Sequence, residues 1–279
     1  MDVSIIIVNY NTKKLTSECI KSIVEKTKGV DYEIILVDNA STDGSKEVFQ
    51  KDDRITYIYN EINGGFGYGN NRGMEVAKGK YFFLLNSDTY LENNAIQEFF
   101  NYAENHPSNI VYGCYLKDGY GKDCTPFFFF PAFTIKDFLK RIFHLKKENP
   151  IDYEDKEVEC ISGANMFIPR SVIEKSGKFD ESIFLYGEEG ELQYRFKKDG
   201  FQRMVIHAPK IVHLEGQSST PSLWKDGVKW KSHFYILKKH MLYPTYLLAR
   251  FYYAFIICLK KWYYIKSSEG RSYLKLFFQ

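Results

Sequence analysis

The chain has 279 residues, 44% hydrophobic and 26% charged, which is enough apolar material for one large domain with a smaller appendage and excludes a disordered or fibrous chain. A formal net charge of +3 is too mild to indicate nucleic acid as a partner and leaves membrane surfaces and anionic small molecules open. The five cysteines (Cys19, Cys114, Cys124, Cys160, Cys258) are odd in number and lack a CxxC pair or a zinc-module spacing, so a reducing, cytoplasmic setting is expected.

Met1-Asp2 leads directly into VSIIIVN without a basic leader, so the first core strand is expected at the start of the chain. Val3 to Asn9 is a β-branched run, Lys13 to Lys26 carries Leu15, Cys19 and Ile23 at helical spacing, and Tyr32 to Val37 is apolar again. This β-α-β start, with uniformly apolar strands, predicts a parallel sheet covered on both faces. Ile55 to Tyr59 and Tyr81 to Leu85 extend the pattern around a helix-like stretch at Phe66 to Val76. Leu91 to Tyr102 reads as the next covering helix and Ile110 to Tyr115 as a further strand. The expected class is α/β, doubly wound.

From Lys117 to Glu159 the text changes character, through FFFFP, a basic amphipathic FLKRIFHLKK and an acidic DYEDKEVE, and reads as an insertion. Strand-like text resumes at Cys160 to Phe167 and Phe201 to Ile206, around a helix containing Leu192, Tyr194 and Phe196. The expected organisation is one domain over residues 1–220, with the insertion at about 117–159, and a helical segment over 221–279.

In an open α/β sheet, ligands sit beyond the carboxyl ends of the strands. Here those ends are polar: Asn9-Tyr10-Asn11, Asp38-Asn39-Ala40-Ser41 and Asn86-Ser87-Asp88. Any one of them reads equally as a turn or a helix N-cap, but three in succession, two with an acid, favour ligand contacts. Between them lies NGGFGYGNNRG, residues 63–73, whose glycines permit close backbone approach and whose amides could face an anion at a helix N-terminus. It matches neither the dinucleotide fingerprint nor a phosphate-cradling loop.

VSIIIVNYNT, EIILVDNASTDGS, NGGFGYGNNRG, YFFLLNSD, ISGANMFIPR, FDESIFLYGEEGELQYR and IVHLEG, in that order over residues 3–220, resemble the motif series of family 2 inverting nucleotide-sugar glycosyltransferases, and most closely the bacterial rhamnosyltransferase-like branch. The resemblance implies a GT-A-like fold, with a mixed, mostly parallel sheet and helices on both faces. It implies a dTDP- or UDP-linked donor and a saccharide or lipid-linked saccharide acceptor in bacterial surface polysaccharide synthesis. It places NSD at the family's DxD, with Asn86 in place of the first acid, Ser87 beside the donor and Asp88 as ligand to a divalent metal, Mg²⁺ or Mn²⁺. Such a hard cation neutralises a departing diphosphate. His213 matches the histidine that completes the metal site.

By the same carry-over Asp38 meets the nucleotide, since Asp43 and Ser45 are better placed to cap the next helix. Asn9 and Tyr10 would line the same pocket, and Asn63 to Gly67 (Asn63, Gly65 and Phe66 among them), Asn70 and Asn71 would flank the donor. Glu189 matches the second acid of the family's acidic pair and is the candidate base, with Glu188 orienting hydroxyls. Both stand at the start of a helix, where the macrodipole favours a carboxylate. Arg195 reads either as an ion-pair partner for Glu188 or Glu191 or as a phosphate contact. The rival reading is a nucleotide-binding protein of the same fold that does not transfer. A nucleotidyltransferase would need a basic glycine-rich loop just after the first strand, and NYNTKK has no glycine.

Met241 to Lys266 mixes Leu, Ile, Phe, Tyr and Trp with Arg250, Lys260 and Lys261. Pro244 and Arg250 interrupt what a spanning helix would need, so a helix lying on the inner face of the cell membrane is expected, with packing on the domain or a homodimer as the alternative.

Overall fold

The computed structural model describes residues 1–131, 133–134, 152–214 and 223–260. The chain divides into two compact units. The first comprises Met1–Phe129, Pro150–Phe184 and Glu188–Thr220, and the second Phe130–Asn149, Leu185–Gly187 and Pro221–Gln279.

The first unit is built on a mixed sheet of β1 (Val3–Asn9), β2 (Tyr32–Asn39), β3 (Thr56–Asn60), β4 (Tyr81–Asn86), β5 (Thr89–Leu91), β6 (Ile110–Lys117), β8 (Lys156–Glu157), β10 (Asn165–Pro169) and β11 (Gln202–His213). Its order is β3-β2-β1-β4-β10-β6-β11-β5, with β8 also paired to β11. A small separate ladder pairs β7 (Phe127–Phe128) with β9 (Cys160–Ile161). β1 runs parallel to β2 and β4, and β6 parallel to β11, while β10 lies antiparallel between β4 and β6. The carboxyl ends of β1, β2, β4, β6 and β11 therefore share one edge. Along it the register sets Asn9 beside Asp38 and Val8 beside Asn86.

The apolar strands bury both faces, as expected. On one side Val3, Ile5, Ile7, Phe83 and Leu85 pack with α1 (Lys13–Lys26) and α4 (Ala95–Glu104) through Cys19, Ile23, Ile96 and Phe99. On the other, Ile6, Val37 and Leu84 meet Met74 of α3 (Phe66–Val76), Val172 of α5 (Arg170–Ser176) and Leu192 and Phe196 of α6 (Glu188–Lys198). Each such fully buried side chain stabilises by roughly 1.5–3 kcal/mol. A short α2 (Ser45–Phe49) follows the β2 tip.

Two boundaries differ from the sequence reading. The helix expected from Leu91 begins at Ala95, because Tyr90 and Leu91 pair with Val212 and Ile211 of β11 and extend the sheet instead. The strand expected at Cys160 to Phe167 breaks at Ser162–Ala164 into β9 and β10. The insertion is tied to the first unit by β7 and β8; its basic stretch FLKRIFHLKK lies outside the described residues.

In the second unit α7 (Leu223–His240) and α8 (Tyr243–Lys260) follow one another. Pro244 does not interrupt: it stands in the first turn of α8, where its missing N–H leaves no helical hydrogen bond unmade. No helix among the described residues is long and apolar enough to cross a membrane. The end of the expected interfacial segment, from Lys261, lies outside the described residues.

Candidate active site

The tips of β1 and β2 are locked together by short polar side chains. Asn9 is fully buried; its Nδ2 donates to Ser41 Oγ (3.0 Å), and its Oδ1 accepts from Thr12 Oγ1 and Thr16 Oγ1 (both 2.8 Å). Ala40 adopts φ 60°, a left-handed conformation that costs an L-residue roughly 1–2 kcal/mol. Asp38 holds that turn: its Oδ1 accepts from Ser41 N (2.8 Å) and its Oδ2 from Tyr57 OH (2.9 Å). Burial, followed by this contact with Asp38, raises the Tyr57 phenol above its usual range, so it stays a donor. Asp43 takes the capping role expected of it, accepting from Lys13 N (2.8 Å) at the start of α1 and from Ser45 N (3.1 Å) at the start of α2. Tyr10, half exposed, projects from the same tip.

The glycine-rich segment forms the start of α3. Gly65 has φ +92°, and a Cβ there would run into the carbonyl of Phe184, so only glycine fits. Gly69 and Gly73 let the helix lie close over Val8 and Ile6 of β1. Asn63 Oδ1 accepts from Gly65 N (3.1 Å), and Asn39 Nδ2 donates to Gly65 O (2.9 Å), tying the segment to the β2 tip. Phe66 packs edge-on against Phe179, 5.9 Å between centroids. Asn71 clamps the 179–181 loop through Phe179 N, Phe179 O and Glu181 Oε1. Asn70 Nδ2 donates to Phe66 O (3.0 Å), while its buried Oδ1 has no partner among the described residues.

The β4 tip differs. Ser87 Oγ contacts Thr12 Oγ1 at 3.1 Å, joining the two tips. Asp88 Oδ1 lies 3.2 Å from His213 Nε2 at the end of β11, and Asn86 Nδ2 lies 3.3 Å from the same nitrogen. Leu214 N donates to Asp88 O (2.9 Å), which fixes the two strands in this register. Among the described residues no group of three or more His, Cys, Asp or Glu could hold a metal ion. One carboxylate beside one imidazole nonetheless fits a divalent cation such as Mn²⁺ that takes its remaining positions from phosphate oxygens and water. Beneath this tip, Cys19 Sγ lies 3.7 Å from both Asn86 O and Thr89 Oγ1, and burial pushes its thiol pKa up to about 12.

The acidic pair is brought close by β10. Asn86 N donates to Ala164 O (3.1 Å), and the neighbouring Gly163 leaves room for Glu189, whose side chain lies 3.5 Å from where a Cβ would stand. Glu188 is only 4% exposed, and its Oε2 has no hydrogen-bond partner among the described residues. Burial, and then the neighbouring Glu189, hold its carboxyl well above the usual carboxylate range. Glu191 is fully buried and paired with Arg195, whose Nε donates at 3.0 and 3.1 Å. Arg195 also donates to the carbonyls of Ser176 and Lys178 and so anchors α6 rather than facing the strand tips.

Residues 4–177 match the profile described as Glycosyl transferase family 2. The chain belongs to this family. The family 2 chain is 36% identical over 119 residues to a poly(ribitol-phosphate) beta-glucosyltransferase of Bacillus spizizenii, an alignment covering 40% of this chain and 19% of that protein. It is 30% identical over 225 residues to the low-salt glycan biosynthesis hexosyltransferase Agl10 of Haloferax volcanii, covering 78% of this chain and 69% of that one. A solved structure of GalNAc-T7 with UDP, GalNAc and Mn²⁺ superposes with a TM-score of 0.61 at 17% identity, over 83% of this chain and 47% of that one. The GT-A fold is thus shared, although the chain spans well under two thirds of several of its relatives.

The motif reading gave no individual role to Thr12, Asn39, Ser41 or Tyr57. All but Tyr57 sit within the quoted motifs NYNT and VDNAST, and the signal was their clustering beside the strand tips.

Proposed function

We propose that this chain is a metal-assisted, inverting glycosyltransferase that moves a sugar from a dTDP- or UDP-linked donor to a saccharide or lipid-linked saccharide acceptor, in the cytoplasm and in bacterial surface polysaccharide synthesis. The observation that carries this reading is the meeting of Asp88 and His213, 3.2 Å apart, at the edge that also receives Glu189. Support for the donor class comes from the UDP and Mn²⁺ of the GalNAc-T7 structure, and support for the acceptor class from the glycan-biosynthesis hexosyltransferase of Haloferax volcanii. The motif series supports the rhamnosyltransferase-like branch. Residues 1–220 form the catalytic domain in this reading, with 221–279 as an appendage.

Asp88 and His213 would hold the cation, with Asn86 beside them. A cation bound there neutralises the charge that develops on the departing nucleotide diphosphate. Asp38 meets the nucleotide, with Asn9 and Tyr10 lining the same pocket, and the hydrogen bonds of Asn9 and Asp38 also hold the β1 and β2 tips in place. Asn63, Gly65, Phe66 and Asn70 flank the donor, and the unmatched Oδ1 of Asn70 is a ready acceptor for a sugar hydroxyl. Glu189 removes the acceptor proton, so that the hydroxyl attacks the anomeric carbon opposite the diphosphate in one inverting displacement. Glu188, whose carboxyl burial holds well above the usual carboxylate range, orients a hydroxyl of donor or acceptor.

The test is thermal stabilisation by UDP, dTDP and GDP, each with Mn²⁺ and with chelator. A metal-dependent rise for UDP or dTDP is expected, because a ligand stabilises only the state that binds it. No rise with any of them would overturn the donor assignment.

A further inference from the structure

α8 carries apolar side chains on two opposite sides. Tyr246, Arg250 and Tyr253 follow one another at helical spacing and face α7. Tyr246 is buried, the Tyr253 ring lies 5.8 Å from Trp230 and 4.9 Å from His233, and the Arg250 guanidinium stands 5.9 Å from the Phe234 ring. Pro244, Leu248, Phe251 and Tyr252 recur at i, i+4, i+7 and i+8 and point the other way, into solvent. Leu248 and Phe251 are 65% and 67% exposed, and Leu242 and Tyr243 at the helix start are as open. A stripe of this kind is a contact surface waiting for an apolar partner.

Charge identifies the partner. Pro221–Gln279 holds eleven Lys and Arg against two acids, a net +9, whereas the rest of the chain sums to −6. α8 has no acid at all, and Lys231 and Lys238 on α7 are exposed. Two copies of so basic a segment repel one another, whereas an anionic bilayer attracts the cations and takes up the apolar side chains. Tyr and Arg suit the boundary, where one end of the side chain is apolar and the other wet.

We infer that the solvent-facing stripe of α8, Leu248 and Phe251 at its centre, docks on an anionic lipid surface with the helix lying in the interface. This goes beyond the proposed sugar transfer and does not depend on it. The second unit thereby holds the enzyme at a membrane from the aqueous side, with no spanning segment among the described residues.

The test is co-sedimentation of the full chain with vesicles of phosphatidylcholine alone or of phosphatidylcholine with phosphatidylglycerol, without nucleotide or acceptor. Binding to the mixed vesicles only is expected, with at least ~10-fold weakening as NaCl rises from roughly 0.1 to 0.5 M. The double variant Leu248→Asp, Phe251→Asp loses at least ~10-fold in binding at an unchanged melting temperature. If that variant melts early, Lys231→Glu with Lys238→Glu makes the same comparison through charge and should weaken binding ~10-fold. Absence of binding by the intact chain at low salt, or equal binding by both double variants, overturns the inference. So does a homodimer, read by equilibrium sedimentation, that Leu248→Asp with Phe251→Asp dissolves while vesicle binding persists. None of these results bears on nucleotide stabilisation, so this inference and the proposed activity fail separately.

Discussion

The tips of β2 and β4 each end in an acid on the same sheet edge, yet the two acids meet different partners. Asp38 spends its two oxygens on its own neighbourhood, the Ser41 amide and the Tyr57 hydroxyl, and so closes a strained turn. Asp88 faces a side chain from the far end of the domain, His213, with Asn86 alongside. An acid satisfied by its own turn shapes the edge. Asp88 is met instead by an imidazole from a distant strand, and the proposed cation site rests on that difference.

The largest expected effect belongs to the proposed base: Glu189→Gln should lower transfer by on the order of 10²-fold or more while preserving nucleotide stabilisation. Near-normal turnover would move the base elsewhere. Asp88→Ala should abolish the Mn²⁺-dependent part of the UDP or dTDP melting shift and leave the ligand-free melting temperature nearly unchanged. Asp38→Ala should instead destabilise the ligand-free fold by about 1–3 kcal/mol through the released Ser41 and Tyr57 donors. If Asp38→Ala melts like the parent and Asp88→Ala does not, the contrast between the tips collapses.

The smallest effect concerns pH. Glu188 has its carboxyl raised by burial, so its favourable contribution is complete below the unfolded value of about 4.3 and is lost as pH rises through the folded value. Glu188→Gln should therefore gain melting temperature relative to the parent as pH is raised from about 4 toward 8, and the gap should close at the acid end. A constant difference across that range would mean that the carboxyl ionises as it does in the unfolded chain.

The strand tips were legible because an apolar run that ends in Asn or Asp announces where burial stops. The glycine segment was legible as close approach, although what its glycines approach is Val8 and Ile6 of the sheet and the carbonyl of Phe184. His213 lies 127 residues beyond Asn86, a pairing no local pattern reveals; only the order of the motifs joined them. The Leu91 boundary was lost for the same reason, since helical spacing is local and pairing with β11 is not. Arg195 stayed open until burial selected Glu191 as its partner. Thr12 and Tyr57 passed unnoticed and Ser41 was read only as part of a polar tip, because hydroxyls are ordinary in turns and strands, and only their hydrogen bonds to Asn9 and Asp38 mark them as the lock on the edge.

The thiol beneath Asn86 gives this edge a built-in clock. Cys19 touches the carbonyl of Asn86 and the hydroxyl of Thr89 from the α1 side, fully enclosed and held in its unreactive form. An alkylating reagent can reach it only when α1 and the β4–β5 turn part, so its labelling rate counts those openings. Since Cys114, Cys124 and Cys160 are also buried, replacing them and Cys258 with Ser leaves one reporter. Binding at the proposed nucleotide and cation site should slow that clock, registering occupancy through a residue outside that site.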